Sequence, residues 1–82
     1  MNKNYSFTDF SNDLDNGYKI IFTYVKNRYV LYKVNDNCYM KELLEQHSKN
    51  SVPPKAMFTL KAIYEEFPFM EDLEYKQEIW GR

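Results

Sequence analysis

Residues 17–41, GYKIIFTYVKNRYVLYKVNDNCYMK, carry five tyrosines and a phenylalanine among β-branched residues, and their period decides the fold. From Tyr18 the side chains alternate. Tyr18, Ile20, Phe22 and Tyr24 fall on one side of an extended chain, and Lys19, Ile21, Thr23 and Val25 on the other. The polar stretch KNR at 26–28 reads as the first turn, with Asn27 as the residue that tolerates a left-handed backbone. An even-length loop there puts Tyr29 and Leu31 on the face of Phe22, and Val30, Tyr32 and Val34 on the face of Ile21. NDN at 35–37 is a second turn signal. Cys38–Lys41 then supplies a third strand, completing an antiparallel meander built from good strand formers.

Upstream, YSFTDFSNDLDN at 5–16 places Phe7, Phe10 and Leu14 at i, i+3 and i+7, one stripe of a short helix. Ser6 and Asp9 fit a capping box, and Gly17 supplies a left-handed stop. Downstream, KELLEQHSKN reads as a short helix carrying Leu43 and Leu44 and ending in polar residues. The following SVPPKAMFTLKAIYEEFP holds the clearest helical stripe: Ala56, Leu60, Ile63 and Phe67, flanked by Met57 and Tyr64, with Pro68 as the stop. Its start has two solutions, a first turn opened by Pro53 and Pro54 or an N-cap at Thr59. In the tail FMEDLEYKQEIWGR, Leu73 and Tyr75 alternate as in an edge strand, although Phe69, Met70, Leu73 and Trp80 also suit a helix.

The expected fold is therefore α+β. A short N-terminal helix leads to a three-stranded antiparallel β-meander, and C-terminal helical segments pack on the sheet with the tail as a closing strand. All of it forms a single small domain, residues 1–82. A chain of this size buries only about 60–65% of the surface its unfolded form exposes, which leaves little room for a deep cleft beside a core.

Both faces of the hairpin carry apolar residues: Ile20, Phe22 and Leu31 on one, Ile21, Val25, Val30 and Val34 on the other. One helix covers only one of them. The second face needs the N-terminal helix, a second copy of the chain as a homodimer, or a partner. The N-terminal helix is the favoured cover, with Tyr29 and Tyr32 emerging at a rim.

Composition narrows the function classes. Hydrophobic residues make up 44% of the chain and charged residues 28%, away from the signature of disorder. The apolar content is strongly aromatic, with eight Tyr, six Phe and one Trp. Cys38 is the single cysteine, so no internal disulfide forms and an oxidising compartment is not indicated. The N-terminus lacks an apolar leader region, and no apolar run approaches the roughly 18–20 residues that cross a bilayer. A cytoplasmic protein is expected, with no membrane partner.

Catalytic and metal chemistry find little support in the residue types present. One His and one Cys, nine positions apart, do not make a metal site, so no metal and no cofactor are expected. His47, read at a polar helix end, has no residue placed to orient its imidazole. Gly17 and Gly81 are too far apart to cradle a phosphate. Glu65 and Glu66 read as a solvated helix face rather than as a general acid and base. No catalytic residue is assigned, and the expected protein is not an enzyme.

Charge is uneven although the formal net charge is only −1. Residues 65–78 hold Glu65, Glu66, Glu71, Asp72, Glu74 and Glu78 against Lys76 alone. With Tyr75 and Trp80, residue types enriched at binding hot spots, these acids form the candidate partner-binding surface. Residues 19–33 hold Lys19, Lys26, Arg28 and Lys33 with no acid. Together with Tyr29 and Tyr32 they make an alternative nucleic-acid-binding set, rings to stack bases and cations to neutralise phosphates.

The stretches FTDFSNDLDNGYKIIFTYVKNRYVLYKVNDNCYMKELL and TLKAIYEEFPFMEDLEY resemble a group of small uncharacterised proteins from phages and prophages of low-GC Gram-positive bacteria. In that group a short helix ending in Gly leads to a tyrosine-rich meander, a helix and a closing strand. The likeness covers most of the chain and is one of pattern. Pro53-Pro54 departs from it, as does Ala62 where an acidic capping partner for Thr59 is expected. The resemblance implies a mobile-element setting, in which proteins of this size are often inhibitors of host machinery, anti-CRISPR proteins among them. The partner so implied is a CRISPR effector or another host protein with a basic, nucleic-acid-binding groove.

Overall fold

The computed structural model describes residues 5–76. In chain order the elements are α1 (Phe7–Asp15), β1 (Lys19–Tyr24), β2 (Asn27–Asn35), β3 (Cys38–Glu45), β4 (Lys55–Phe58), α2 (Leu60–Glu66), one 3-10 turn (Phe67–Phe69) and β5 (Glu71–Lys76). The strands form one antiparallel sheet in the order β4-β3-β2-β1-β5, so β4 and β5 are its edges. The fold is α+β, and the meander is its centre.

Local signals account for α1. The Ser6 hydroxyl accepts from the Asp9 amide at 3.1 Å while the Asp9 carboxylate accepts from the Ser6 amide at 3.3 Å, a complete capping box. At the other end Gly17 takes φ 92°, and the amides of Gly17 and Tyr18 donate back to the carbonyls of Leu14 and Asp13. That left-handed stop satisfies two otherwise orphaned carbonyls.

The first turn is Val25–Lys26, not residues 26–28. Tyr24 pairs with Asn27, and Val25 and Lys26 take φ 47° and 69°. Asn27 instead opens β2 and is buried. Because the loop still has an even length, Ile20 faces Leu31 and Phe22 faces Tyr29, as the alternation requires.

The segment expected to be a helix at 41–50 is strand as far as Glu45 and loop beyond it. β3 runs through Leu43 and Leu44 to Glu45, pairs with β2 along its length, and is joined on its outer side by β4. The Leu43 amide donates to the Pro54 carbonyl at 2.8 Å. Hydrogen bonds to two neighbouring strands outweigh the helix propensity of KELLEQ, whose residues are all good helix formers. β4 also removes Ala56 from the helical stripe, and α2 begins after Thr59, whose hydroxyl accepts from the Ala62 amide at 3.3 Å. The closing strand forms as β5.

One core holds the fold together: Phe10 and Leu14 from α1, Ile20 and Phe22 from β1, Tyr29 and Leu31 from β2, Tyr39 from β3, Ile63 from α2, and Met70. Rings knit the two helices to each other, with Phe7 against Tyr64 at 4.9 Å and Phe10 against Phe67 at 5.0 Å between centroids. Both helices therefore lie on the same face of the sheet. The expectation that α1 would cover the second face is overturned. The inward set of the meander is mainly apolar and aromatic, and its Asn27, Lys33 and Lys41 are each bonded to a partner, whereas the outward set interleaves Thr23, Arg28 and Glu42 with its apolar residues and is cheaper to leave in water.

Candidate functional site

No described helix packs on the other face of the sheet, and that face and the β5 edge form a surface that the described residues do not use for their core. Cross-strand pairing arranges it in rows. Glu71, Thr23, Arg28 and Glu45 make one, Glu74, Ile21, Val30, Glu42 and Lys55 the next, and Tyr32, Met40 and Met57 a third. Val30 is only 8% exposed, while Val34 and Met57 are about half exposed.

Polar contacts stiffen this face. Arg28 donates from Nη1 to the Thr23 hydroxyl and to the Asp72 carbonyl, both at 2.8 Å, and Nη2 lies 3.4 Å from the Glu74 carboxylate. The Tyr32 hydroxyl donates to the Glu42 carboxylate. That hydrogen bond, assisted by burial and by the Glu42 charge, pushes the Tyr32 phenol up to about 12. The Lys19 ammonium sits 5.1 Å from the centre of the Tyr32 ring.

The acidic set predicted from the sequence is brought together only in part. Glu71, Asp72 and Glu74 are exposed along β5, where Asp72 takes φ 52° at a break in register with β1. Aspartate is one of the few residues that adopt this backbone cheaply. Glu65 is exposed on α2, away from that strand. Glu66 turns inward to an ion pair with Lys41 at 3.1 Å, with side-chain exposures of 18% and 11%, apart from the exposed acids of β5. Tyr75 pairs with Ile20 through its backbone, and Glu78 and Trp80 lie outside the described residues.

The basic set is divided between the two faces. Lys19, Arg28 and Tyr32 lie on the open face, and Lys26 is exposed in the turn. Tyr29 is buried in the core, not at a rim, because its position is in register with Phe22. Lys33 is bound to Asp15 at 3.0 Å, a contact that raises its pKa. His47 stands in the loop after β3, not at a helix end, with Nε2 3.1 Å from Glu45. Among the described residues no group of three or more His, Cys, Asp or Glu side chains is placed to hold a metal ion.

Two further residues escape a reading by local pattern. The Lys41 ammonium lies 5.1, 4.6 and 4.4 Å from the ring centres of Tyr24, Tyr29 and Phe58. Burial, followed by the nearby Glu66 charge, raises the Tyr24 phenol. Lys41 shares inward parity with Tyr39 and Leu43, a signal that becomes visible once β3 is extended past residue 41. Asn27, 1% exposed, accepts from the amides of His47 and Ser48 at 2.8 and 2.9 Å and donates to the hydroxyls of Ser48 and Tyr29 at 3.0 and 3.3 Å. It pins the loop between β3 and β4 to the hairpin.

Asn27→Ala is expected to cost about 2 kcal/mol, because two backbone donors lose a buried acceptor. Hydrogen exchange should show the His47 and Ser48 amides losing protection while the amides of β1 keep theirs. Unchanged protection at both amides would show that other contacts hold the loop.

No family model, curated protein or solved structure matches the chain. Among the described residues no helix is long and apolar enough to cross a membrane.

Proposed function

We propose that the protein is a non-catalytic, protein-binding inhibitor or modulator from a mobile element, of the anti-defence type. It engages a basic, nucleic-acid-binding surface of a host protein in the cytoplasm through the acidic β5 edge and the open sheet face beside it. The observation that carries this reading is the placement of Glu71, Asp72 and Glu74, three exposed acids on an edge strand of the described sheet. A row of carboxylates on a strand presents anions to a cationic groove much as a phosphate backbone does, and it steers a basic partner before contact. Arg28 offsets part of this charge at Glu74 and also fixes the strand to the sheet through the Asp72 carbonyl. Charged, bulged edges also protect a sheet from pairing with other sheets, so a change in partner binding must be separated from a change in solubility.

Direct nucleic-acid binding by the hairpin has less support, since Tyr29 and Lys33 are committed to the helix side. The deciding experiment captures a partner from a nuclease-treated host lysate, purifies it, and measures its nucleic-acid binding with and without this protein. Competition is expected. The variant Glu71→Gln/Asp72→Asn/Glu74→Gln should associate about tenfold or more slowly at low salt, with its melting temperature little changed. Asparagine at 72 keeps a side chain that tolerates the left-handed backbone. Simultaneous binding of nucleic acid and this protein, or wild-type association by the neutralised variant, overturns the reading.

A further inference from the structure

On the helix side, at the end of the hairpin farthest from Lys19, lies a cavity of about 300 Å³. The rings of Tyr24, Tyr29 and Phe58 form part of its wall, and Val52, Pro53 and Ala56 contribute the side formed by β4 and the preceding loop. Asn27 holds that loop in place through its bonds to His47 and Ser48. The cavity is bordered by the end of β1 and by β2, β3 and β4, it lies on the helix side, and none of Glu71, Asp72 and Glu74 lines it. It is thus separate from the acidic surface proposed to bind a protein.

The wall specifies the chemistry of an occupant. Lys41 is the one charged side chain among the lining residues, and Glu66 balances its charge at 3.1 Å while the three rings lie against the ammonium. Among the described residues no buried side-chain nitrogen or oxygen lacks a hydrogen-bond partner. A charged occupant would have to break the Lys41–Glu66 pair or be desolvated without a counterion, and either is costly. An uncharged ring meets neither obstacle and gains apolar and edge-to-face contact with the aromatic wall. Asn27, Ser48 and Asn50 leave one polar end at which a single hydroxyl or N–H can be accommodated.

Size agrees with this chemistry. An apolar cavity of about 150 Å³ holds benzene, and sites for small ligands begin near 300 Å³, so a fused two-ring molecule is within range. Val25 stands at the mouth, 66% exposed, at φ 47°. A β-branched residue is strained in this region, and strain of this kind gathers at ligand sites.

We infer that this cavity is a binding site for a small, uncharged aromatic molecule of one or two fused rings, seated against Tyr24, Tyr29 and Phe58. The test uses the full chain, labelled with nitrogen-15 and titrated with indole. Saturable shifts are expected at the amides of Tyr24, Asn27, Ser48 and Phe58. Indole-3-acetate and tryptamine, which carry the same ring with opposite charges, should bind about tenfold or more weakly. Ala56→Leu fills the cavity from β4 and should weaken indole at least about tenfold without lowering the melting temperature. Val52→Phe fills it from the loop if Ala56→Leu disturbs the strand.

The triple β5 variant should bind indole as the wild type does, so failure here is distinguishable from failure of the proposed protein interface. The inference is overturned if indole gives no saturable shifts, if the shifts centre on the open sheet face, if either charged analogue binds as tightly as indole, or if a folded cavity-filled variant binds indole unchanged.

Discussion

Phe22→Ala is expected to cost about 4 kcal/mol, the largest single effect among the substitutions considered. Phe22 has no exposed surface, lies on the central part of the sheet, and stacks on Tyr29 with ring centres 5.7 Å apart. Removing the ring forfeits its transfer free energy and leaves a cavity under α1 and α2 that neighbours only partly fill. A domain of this length has about 5–10 kcal/mol of stability in total, so the variant should keep only about 1–6 kcal/mol at room temperature. Ile21→Ala, one residue away on the open face, should cost about 1 kcal/mol, because Ile21 is only half-buried. Urea titration followed by circular dichroism measures both. Equal losses would mean that the open face is covered in solution.

The second large effect concerns the ion pair behind the aromatic wall. Glu66→Ala is expected to cost about 3 kcal/mol, since it strands a largely buried ammonium whose carboxylate partner is gone. The surrounding rings compensate only in part, as cation–π contacts are worth about 0.5–2 kcal/mol. Replacing both partners, as Lys41→Met/Glu66→Leu, should recover most of the loss, because methionine packs well against aromatic rings and no charge remains to be desolvated. Thermal melts of the single and double variants decide this. A double variant no more stable than Glu66→Ala would show that the rings need the charge, and that the cation–π contacts rather than the ion pair dominate.

The two effects also mark the boundary of what a linear reading reaches. Alternation alone puts Phe22 on one face with Tyr29 and Leu31, and that grouping survives although the turn lies one residue earlier than expected, because parity depends only on the loop having an even length. Glu66 was assigned to an acidic surface, and its partner is 25 residues away in the chain. Glu71, Asp72 and Glu74 remained together because neighbours in one short strand stay neighbours in space. Tyr29 and Lys33 were separated from Lys19 and Arg28 because strand parity sends alternate residues to opposite faces.

By itself the sequence determined α1 with both its caps, the two hairpin turns to within a residue, the pairing of β1 with β2, and Thr59 as one of two possible starts for α2. Each of these rests on interactions between residues a few positions apart, where period, cap chemistry and turn preference act. Only the tertiary structure decided that 41–45 is strand, that β4 exists, that both helices share one face, and that Lys41 is enclosed by rings. Those outcomes depend on hydrogen bonds and apolar contacts between distant segments, whose free energy exceeds the few tenths of a kcal/mol per residue by which local propensities differ.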